Sequence, residues 1–337
     1  MPPPLVTMLV GFGSVAEGLA SDERMGQHFC YASHAEVLRA HPEFNWKAVI
    51  DPSPKARQRA KEVWRVPMVF ETVDEGIERI RPDLVVIATP PDDHLTTFKK
   101  LETVRGILLE KPVATNITEA ESIAALAEER SQLVQVNYWR RTDSDLTKLL
   151  APGLTSLIGE IQTAFALYGN GLHNNGSHLI DLVRFLADDV DAVLACGHGY
   201  QSGPITGDID IPFTLKLQSG VTVHFSTISF KHYREVSLDL WGTKGRVALY
   251  NESLSICYYP LADNRSLENS CEIASDRPKI IPKKRSSAFR MMYDNLHNSL
   301  TSGGKLISPL KEAIKTERII DAILSANQRK NSWVKVK

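Results

Sequence analysis

The sequence predicts an α/β protein in two parts: a doubly wound parallel sheet at the N-terminus, then an α/β domain on an open, mostly antiparallel sheet. Three observations predict it. The first third alternates short apolar runs with helical stretches, the pattern of a parallel sheet covered on both faces. After about residue 140, apolar and polar residues alternate with the period of two that marks strands with one wet face. The chain has 337 residues, more than the ~250–300 at which single cores stop growing. The expected boundaries are 1–136 and 137–337, with a C-terminal segment from about 305 to 337 packing back on the first domain.

In chain order, Leu5 to Val10 is an apolar run ending in glycines. Trp46–Ile50, Met68–Phe70, Leu84–Ala88 and Ile107–Leu109 are further short runs flanked by Pro, Gly or Asp, and read as buried strands. Thr118 with Glu121 reads as a capping box, with Ile123, Leu126 and Ala127 following on one helix face. In the second part, Phe213, Leu215 and Leu217 alternate, Gln218-Ser219-Gly220 turns, and Val221, Val223 and Phe225 alternate back as a hairpin. Val236, Leu238 and Leu240 form another strand, and Gly242–Gly245 turns into Val247–Leu249. Ser308-Pro309 starts a last helix with Leu310, Ala313, Ile314 and Ile320 on one face.

Charge and cysteines narrow the function classes. Lys plus Arg number 39 against 40 for Asp plus Glu, a net charge of -1, which argues against a nucleic-acid or anionic-membrane partner. The basic cluster Lys279–Arg285 contains two prolines and reads as a solvated loop. Cys30, Cys196, Cys257 and Cys271 lack CxxC or metal-ligand spacing, which fits free thiols in a reducing cytoplasm and predicts no metal; His173 likewise has no ligand pattern. The Met-Pro-Pro-Pro start has neither basic leader nor cleavage site, and no apolar stretch approaches the ~20 residues that span a bilayer.

Chemistry enters at Gly11-Phe12-Gly13-Ser14-Val15-Ala16, a G-x-G-x-x-A turn that follows the first strand and is expected to open a helix. The first glycine permits a tight turn, the second lets backbone approach a pyrophosphate, and the helix N-terminus favours the anion. Asp51 ends the second strand; its carboxylate suits the hydroxyls of an adenosine ribose, or alternatively a turn before Pro52. It lies 38 residues beyond Gly13 where ~20 is usual. Leu19–Ser33 therefore reads as an insertion, with the helix resuming over His34–Ala40.

These motifs, together with Ala88-Thr89-Pro90-Pro91, Glu110-Lys111-Pro112, Gly176-Ser177-His178 through Asp181, and the Gly242–Gly245 turn, resemble the Gfo/Idh/MocA family over nearly the whole length. The resemblance implies a Rossmann domain binding NAD or NADP, a sugar, nucleotide-sugar or polyol substrate, and a homodimer or homotetramer formed through the C-terminal sheet; NAD is expected over NADP because the Asp51 carboxylate would face an added 2′-phosphate, with Lys55 and Arg57 nearby as the opposing charges. It implies that Lys111 is the catalytic lysine and that His178 is the proton-transferring histidine. Gly11, Phe12, Gly13, Ser14, Val15, Asp51, Thr89, Pro90, His94, Glu110 and Lys111 are then expected to face the cofactor. Tyr138, Arg140, Arg141, His173, Asn174 and His178 are expected to face the substrate. The family carries an aspartate four residues before that histidine, whereas this chain has Asn174, an amide that cannot hold or release a proton. Asp181 is a possible replacement carboxylate or a solvent-facing residue, and Arg140 and Arg141 suit either a substrate anion or an inter-domain ion pair. Asn174 and the insertion resemble a bacterial subgroup of surface-sugar metabolism. The competing reading is a non-catalytic dinucleotide-binding regulator on the same fold.

Overall fold

The computed structural model describes residues 3–150, 153–203, 205–329 and 332–337. The reading of the N-terminal start therefore falls in part, at Met1 and Pro2, outside the described residues. The chain divides into two compact units: Met1–Ser144 with Arg285–Glu317, and Asp145–Lys284 with Arg318–Lys337.

In the first unit, β1 (Leu5–Val10), β2 (Phe44–Ile50), β3 (Met68–Phe70), β4 (Leu84–Ile87), β5 (Gly106–Leu109) and β6 (Leu133–Val136) form one sheet in the order β3-β2-β1-β4-β5-β6. Every pairing is parallel. The strand order reverses between β1 and β4. Ligands of open α/β sheets bind at the carboxyl ends of the strands beside such a reversal. β4 and β5 are buried along their whole lengths, which is why their sequences are unbroken apolar runs.

The segment after the fingerprint departs from expectation. No continuous helix opens there. The Glu17 N–H donates to the Gly13 carbonyl (3.0 Å), and the chain then tightens into a 3-10 turn at Gly18–Ser21. The helix resumes at His34–Ala40. The Ala35 N–H donates to the Ala16 carbonyl (2.9 Å) and that of His34 to Val15 (3.4 Å). Each bond spans nineteen residues where a helix spans four, so the ladder continues with fifteen residues looped out. That is the length of Leu19–Ser33. Without it the spacing from Gly13 to Asp51 falls from 38 to 23, close to the usual ~20.

The looped-out segment is tied to the returning chain. The Cys30 N–H donates to the Ser286 carbonyl and the Ser286 N–H to that of His28, both at 2.8 Å. Phe29 meets Trp139 edge-on, with ring centroids 5.5 Å apart. Helix Ala288–Ser302 then buries Met292, Tyr293 and Leu296 with Leu9, Leu38 and Phe44.

Two local readings are corrected. The helix over Ile117–Glu129 is capped not by Thr118 but by Asn116, whose side chain accepts the Glu119 N–H. Asn is the stronger cap, and Thr115 adds a hydroxyl bond to Glu119 (3.0 Å). The basic cluster is not all loop: Lys279–Ile281 is a short strand, β15, paired with Ser255–Asp263.

In the second unit, β7 (Ile161–Tyr168), β8 (Val190–Ala195), β9 (Phe213–Leu217), β10 (Thr222–Thr227), β11 (Ser237–Gly242), β12 (Gly245–Tyr250), β13 (Ser255–Asp263), β14 (Cys271–Ile273) and β16 (Val334–Lys335) run in the order β14-β13-β12-β11-β7-β10-β9-β8-β16. Only β7 and β10 pair in parallel among the described strands. The expected hairpin is β9–β10. One sheet face buries Leu215, Val223, Leu238 and Val247 against helix Ser177–Leu186. Ile319, Ile320, Ile323 and Ala326 of the last helix (Leu310–Arg329) join the same core, whereas its first turns, Leu310, Ala313 and Ile314, belong to the first unit.

Candidate active site

The glycine turn leaves β1 at Gly11, whose φ is +85°. A Cβ built there would lie 2.7 Å from the carbonyl carbon and oxygen of Ala88 and 2.8 Å from the Thr89 nitrogen. Only glycine lets the β1 and β4 ends approach so closely. At Gly13 a Cβ would meet nothing within 4 Å. Gly13 and Ser14 are exposed, Val15 is half-buried and Phe12 is buried.

Asp51 serves the turn and remains open to a ligand. Its Oδ2 accepts the Phe12 N–H (2.7 Å) and its Oδ1 the Ser53 N–H (2.8 Å). The carboxylate thus fixes the glycine turn, and a carboxylate has lone pairs beyond these two. Arg57 is committed elsewhere: its guanidinium donates to the carbonyls of Asp51 (2.7 Å) and Pro52 (2.9 Å) and to Glu71 (3.2 Å).

Thr89 follows β4, Lys111 follows β5 and Asn137 follows β6, so the sheet lines three side chains along neighbouring strand ends. Thr89 Oγ1 and Asn137 Oδ1 are buried polar atoms with no hydrogen-bond partner among the described residues. Buried polar groups are otherwise nearly always satisfied, so these two are suited to a bound molecule. His94 is fully buried. Its Nδ1 lies 3.1 Å from the Val113 carbonyl and its Nε2 3.0 Å from that of Thr89, tying the loop after β4 to the loop after β5. Burial lowers its pKa against the raising effect of those carbonyls.

Glu110 is the centre of a buried network that the sequence did not reveal. His34 Nε2 lies 2.9 Å from Glu110 Oε1, Asn137 Nδ2 donates to the same oxygen, and the Lys111 N–H donates to Oε2 (3.3 Å). Burial pushes the Glu110 carboxyl up, but His34, Asn137 and Lys111 outweigh it and hold the group below its ordinary range. An ionised Glu110 only accepts, so His34 Nε2 carries the hydrogen. In a neutral ring His34 Nδ1 then accepts from the Tyr293 hydroxyl (2.8 Å), whose own pKa burial raises.

A second buried carboxyl stands close by. Glu317, on the last helix, accepts the Val113 N–H through Oε1 (3.0 Å), two residues past Lys111. Burial raises it to about 7, with the Val113 N–H and the Lys111 charge opposing. Its position carries a signal: Leu310, Ala313, Ile314 and Glu317 continue one apolar stripe, so the acid occupies a core position.

In the second unit, Leu172–Gly176 forms a wide π-type turn that feeds helix Ser177–Leu186. The missing family carboxylate has a neighbour from another loop. Asp208 accepts the backbone N–H of His173 and of Asn174, both at 2.9 Å. Gly171 (φ +104°) makes room: a Cβ there would lie 2.0 Å from Asp208 Oδ2. The Asn174 amide donates to the Asn170 carbonyl (3.1 Å), which fixes its orientation. His178 sits in the first turn of the helix, half-buried like His173 and Asn174. Asp181 does not face solvent; it is buried with its carboxylate 4.0 Å from Arg184. Tyr138, Arg140 and Arg141, after β6, are all buried, and Arg140 stacks over Trp139 (4.4 Å).

The first unit fits a nicotinamide dinucleotide. It has a glycine cradle with open space over Gly13, a carboxylate at the end of β2, and unsatisfied polar atoms beside a lysine at the strand ends.

Known proteins agree with this geometry. Residues 26–138 match the family profile described as an oxidoreductase family with NAD-binding Rossmann fold, and residues 169–336 match its C-terminal alpha/beta domain. An uncharacterised oxidoreductase of Schizosaccharomyces pombe is 27% identical over 201 residues, 53% of this chain and 51% of the relative. The rhizopine catabolism protein MocA of Rhizobium meliloti is 28% identical over 212 residues, 57% of this chain and 64% of the relative. The matched stretch thus spans about half the length of the first relative and under two thirds of the second. The WlbA dehydrogenase of Chromobacterium violaceum, solved with NADH and UDP-GlcNAcA, shares the fold with a TM-score of 0.77 at 18% identity, over 100% of this chain and 98% of that one. The chain belongs to the Gfo/Idh/MocA family of oxidoreductases.

Proposed function

We propose that this chain is an NAD-dependent dehydrogenase or reductase acting at a carbinol or keto carbon of a sugar, nucleotide sugar or polyol. One observation carries the reading: the β3-β2-β1-β4-β5-β6 order sets the glycine turn, Thr89 and Lys111 at the carboxyl ends of β1, β4 and β5, beside the strand-order reversal. Residues 1–136 would bind the nucleotide and 137–337 the substrate and a second copy of the chain. Phe12, Ser14, Val15 and Pro90 complete the cofactor-facing set, whereas the buried His94 ties the loops after β4 and β5 together instead of facing the cofactor.

A nicotinamide bound there supplies or takes up the hydride. Lys111 holds its ammonium at the reacting oxygen and stabilises the negative charge that develops on it. His178 takes or returns the hydroxyl proton at a ring nitrogen, the role an imidazole side chain can play in either direction. Asn174 orients the substrate rather than exchanging a proton, and Asp208 holds the turn that carries it. Tyr138, Arg140, Arg141 and His173 contribute polar contacts to the substrate.

NAD is favoured over NADP because an added 2′-phosphate would meet the Asp51 carboxylate, while Arg57 is already engaged by two carbonyls and Glu71. Two like charges ~4 Å apart cost about 1–4 kcal/mol, so fluorescence titration should show NADH binding at least ~5-fold tighter than NADPH; equal affinities would remove Asp51 from that role. The outward face of the second sheet, where half-exposed Phe165 stacks on His224 (5.4 Å) and Arg246 covers Trp241 (4.4 Å), is assigned to a homodimer or homotetramer contact. Four cysteines without disulfides suit the cytoplasm.

The test is nicotinamide absorbance in a screen of polyols, sugars and nucleotide sugars. The regulator reading, which Asn174 favours, requires cofactor binding with no turnover on any of them.

A further inference from the structure

We propose that Glu317 is a positioning residue for Lys111: its carboxyl grips the backbone two residues past the lysine and, when ionised, favours the ammonium form of that lysine. The inference rests on the reading of Lys111 as the group that polarises the reacting oxygen.

The geometry is specific. Glu317 is only 4% exposed, and it reaches across 204 residues of sequence to take the Val113 N–H at 3.0 Å. The carbonyl of the same residue faces His94 Nδ1 at 3.1 Å. Val113 is therefore held at its N–H and at its carbonyl, which fixes the loop segment immediately after Lys111-Pro112. A buried acid is costly in a core stripe unless it meets hydrogen-bond donors or a cation; here it accepts the Val113 N–H, and the charge of Lys111 opposes the effect of burial.

From the loop after β5 come Lys111 and Glu110, the latter bonded to the Lys111 N–H. From helix His94–Lys99 comes His94. Helix Ile117–Glu129 contributes Ala120, Ile123 and Ala127 to the shared core. On the helix of Glu317 the neighbours are Arg318 and Lys315, the latter 3.5 Å from Glu312. Glu110 stays ionised through its several donors, so Glu317 is the carboxyl whose charge changes near neutrality. Its ionised form favours the ammonium form of Lys111.

The test measures the apparent pKa of Lys111 directly, by pH-dependent competitive labelling with an amine-reactive reagent and peptide mapping of the full chain. Glu317→Gln keeps an acceptor for the Val113 N–H and removes the charge. It should lower the Lys111 midpoint by roughly one pH unit, and so speed labelling ~10-fold below the midpoint, while NADH affinity stays within a few-fold. With a substrate in hand, the basic limb of kcat should move down by the same amount with KM little changed. An unchanged Lys111 midpoint in Glu317→Gln overturns the proposal. Should that variant not fold, Lys111→Met provides the reciprocal reading: the Glu317 carboxyl, followed by carbon NMR, should titrate at higher pH, and an unmoved midpoint overturns the proposal equally. Labelling and NMR need no substrate, so a failed search for dehydrogenase activity leaves this inference standing or falling by itself.

Discussion

Glu317→Gln also has a calculable effect on stability. The carboxyl titrates at an ordinary 4.5 in the unfolded chain and at about 7 in the native one, because burial outweighs the Val113 N–H and the Lys111 charge. Below the unfolded value both states are protonated, and the group contributes nothing to the pH dependence. As pH rises through 4.5 the unfolded chain releases the proton while the native state keeps it, so native stability falls. The fall continues until the native carboxyl ionises near 7 and is flat beyond. One pKa unit is ~1.4 kcal/mol, so the loss across this window is ~3 kcal/mol. Glutamine does not titrate. The stability of Glu317→Gln relative to the parent should therefore rise by ~3 kcal/mol between pH 4.5 and 8, whatever its offset at acid pH. For a cooperative transition of a chain this size that is ~4 °C of Tm difference. Thermal melts of both proteins at matched ionic strength across that range provide the measurement. A difference in Tm that stays constant with pH would refute the reasoning, because it would mean that the buried carboxyl titrates as it does in water.

Other substitutions probe the cradle and the strand ends. Gly11→Ala combines a positive φ, worth ~1–2 kcal/mol, with a Cβ 2.7 Å from the Ala88 backbone and overpacking of ~1–3 kcal/mol; urea unfolding should show a loss of ~2–5 kcal/mol together with weakened NADH binding. Lys111→Ala should leave NADH affinity within a few-fold and cut turnover by ~10² or more, and loss of cofactor binding in step with activity would make it a structural lysine. His178→Ala should lower turnover by ~10²–10⁴. Asn174→Asp should shift the His178 limb of the pH–rate profile upward, since the cation gains a partner; full activity in His178→Ala would remove it from the mechanism.

The parts of the fold that a local pattern encodes were legible in the sequence. The Gly11–Ala16 turn, the short buried strands and the β9–β10 hairpin each depend on neighbours in the chain. The insertion at Leu19–Ser33 was legible as well, because a spacing rule failed at Asp51 by a definite amount. What escaped was set by contacts between distant residues. His34 and Asn137 converge on Glu110 from separate stretches, with Tyr293 behind His34, and nothing near any of them in sequence marks the meeting. Asp208 reaches the His173–Asn174 turn from a loop 34–35 residues away. Glu317 is the instructive case, because the signal was present. It continues the stripe of Leu310, Ala313 and Ile314, but an acid in a helix is ordinarily read as a solvent-facing residue, and the stripe seemed to skip to Ile320. Asn116 rather than Thr118 caps its helix for a similar reason: two adjacent cap signals compete, and the backbone decides.

The two buried acids near Lys111 show why a single motif understates such a site. Both are screened from water, so burial alone would raise both carboxyls. Their partners separate them. Glu110 receives His34, Asn137 and the Lys111 N–H, and stays ionised. Glu317 receives one backbone N–H and stands near neutrality. Environments that push two like groups apart give them different work. Glu110 is a fixed charge whose partners cannot be lost without leaving it stranded, whereas Glu317 changes charge in the range where the proposed proton transfer operates. The Glu-Lys-Pro loop is thus held by one constant carboxylate at the Lys111 N–H and one variable carboxylate at the Val113 N–H, and only the constant one is written in the motif.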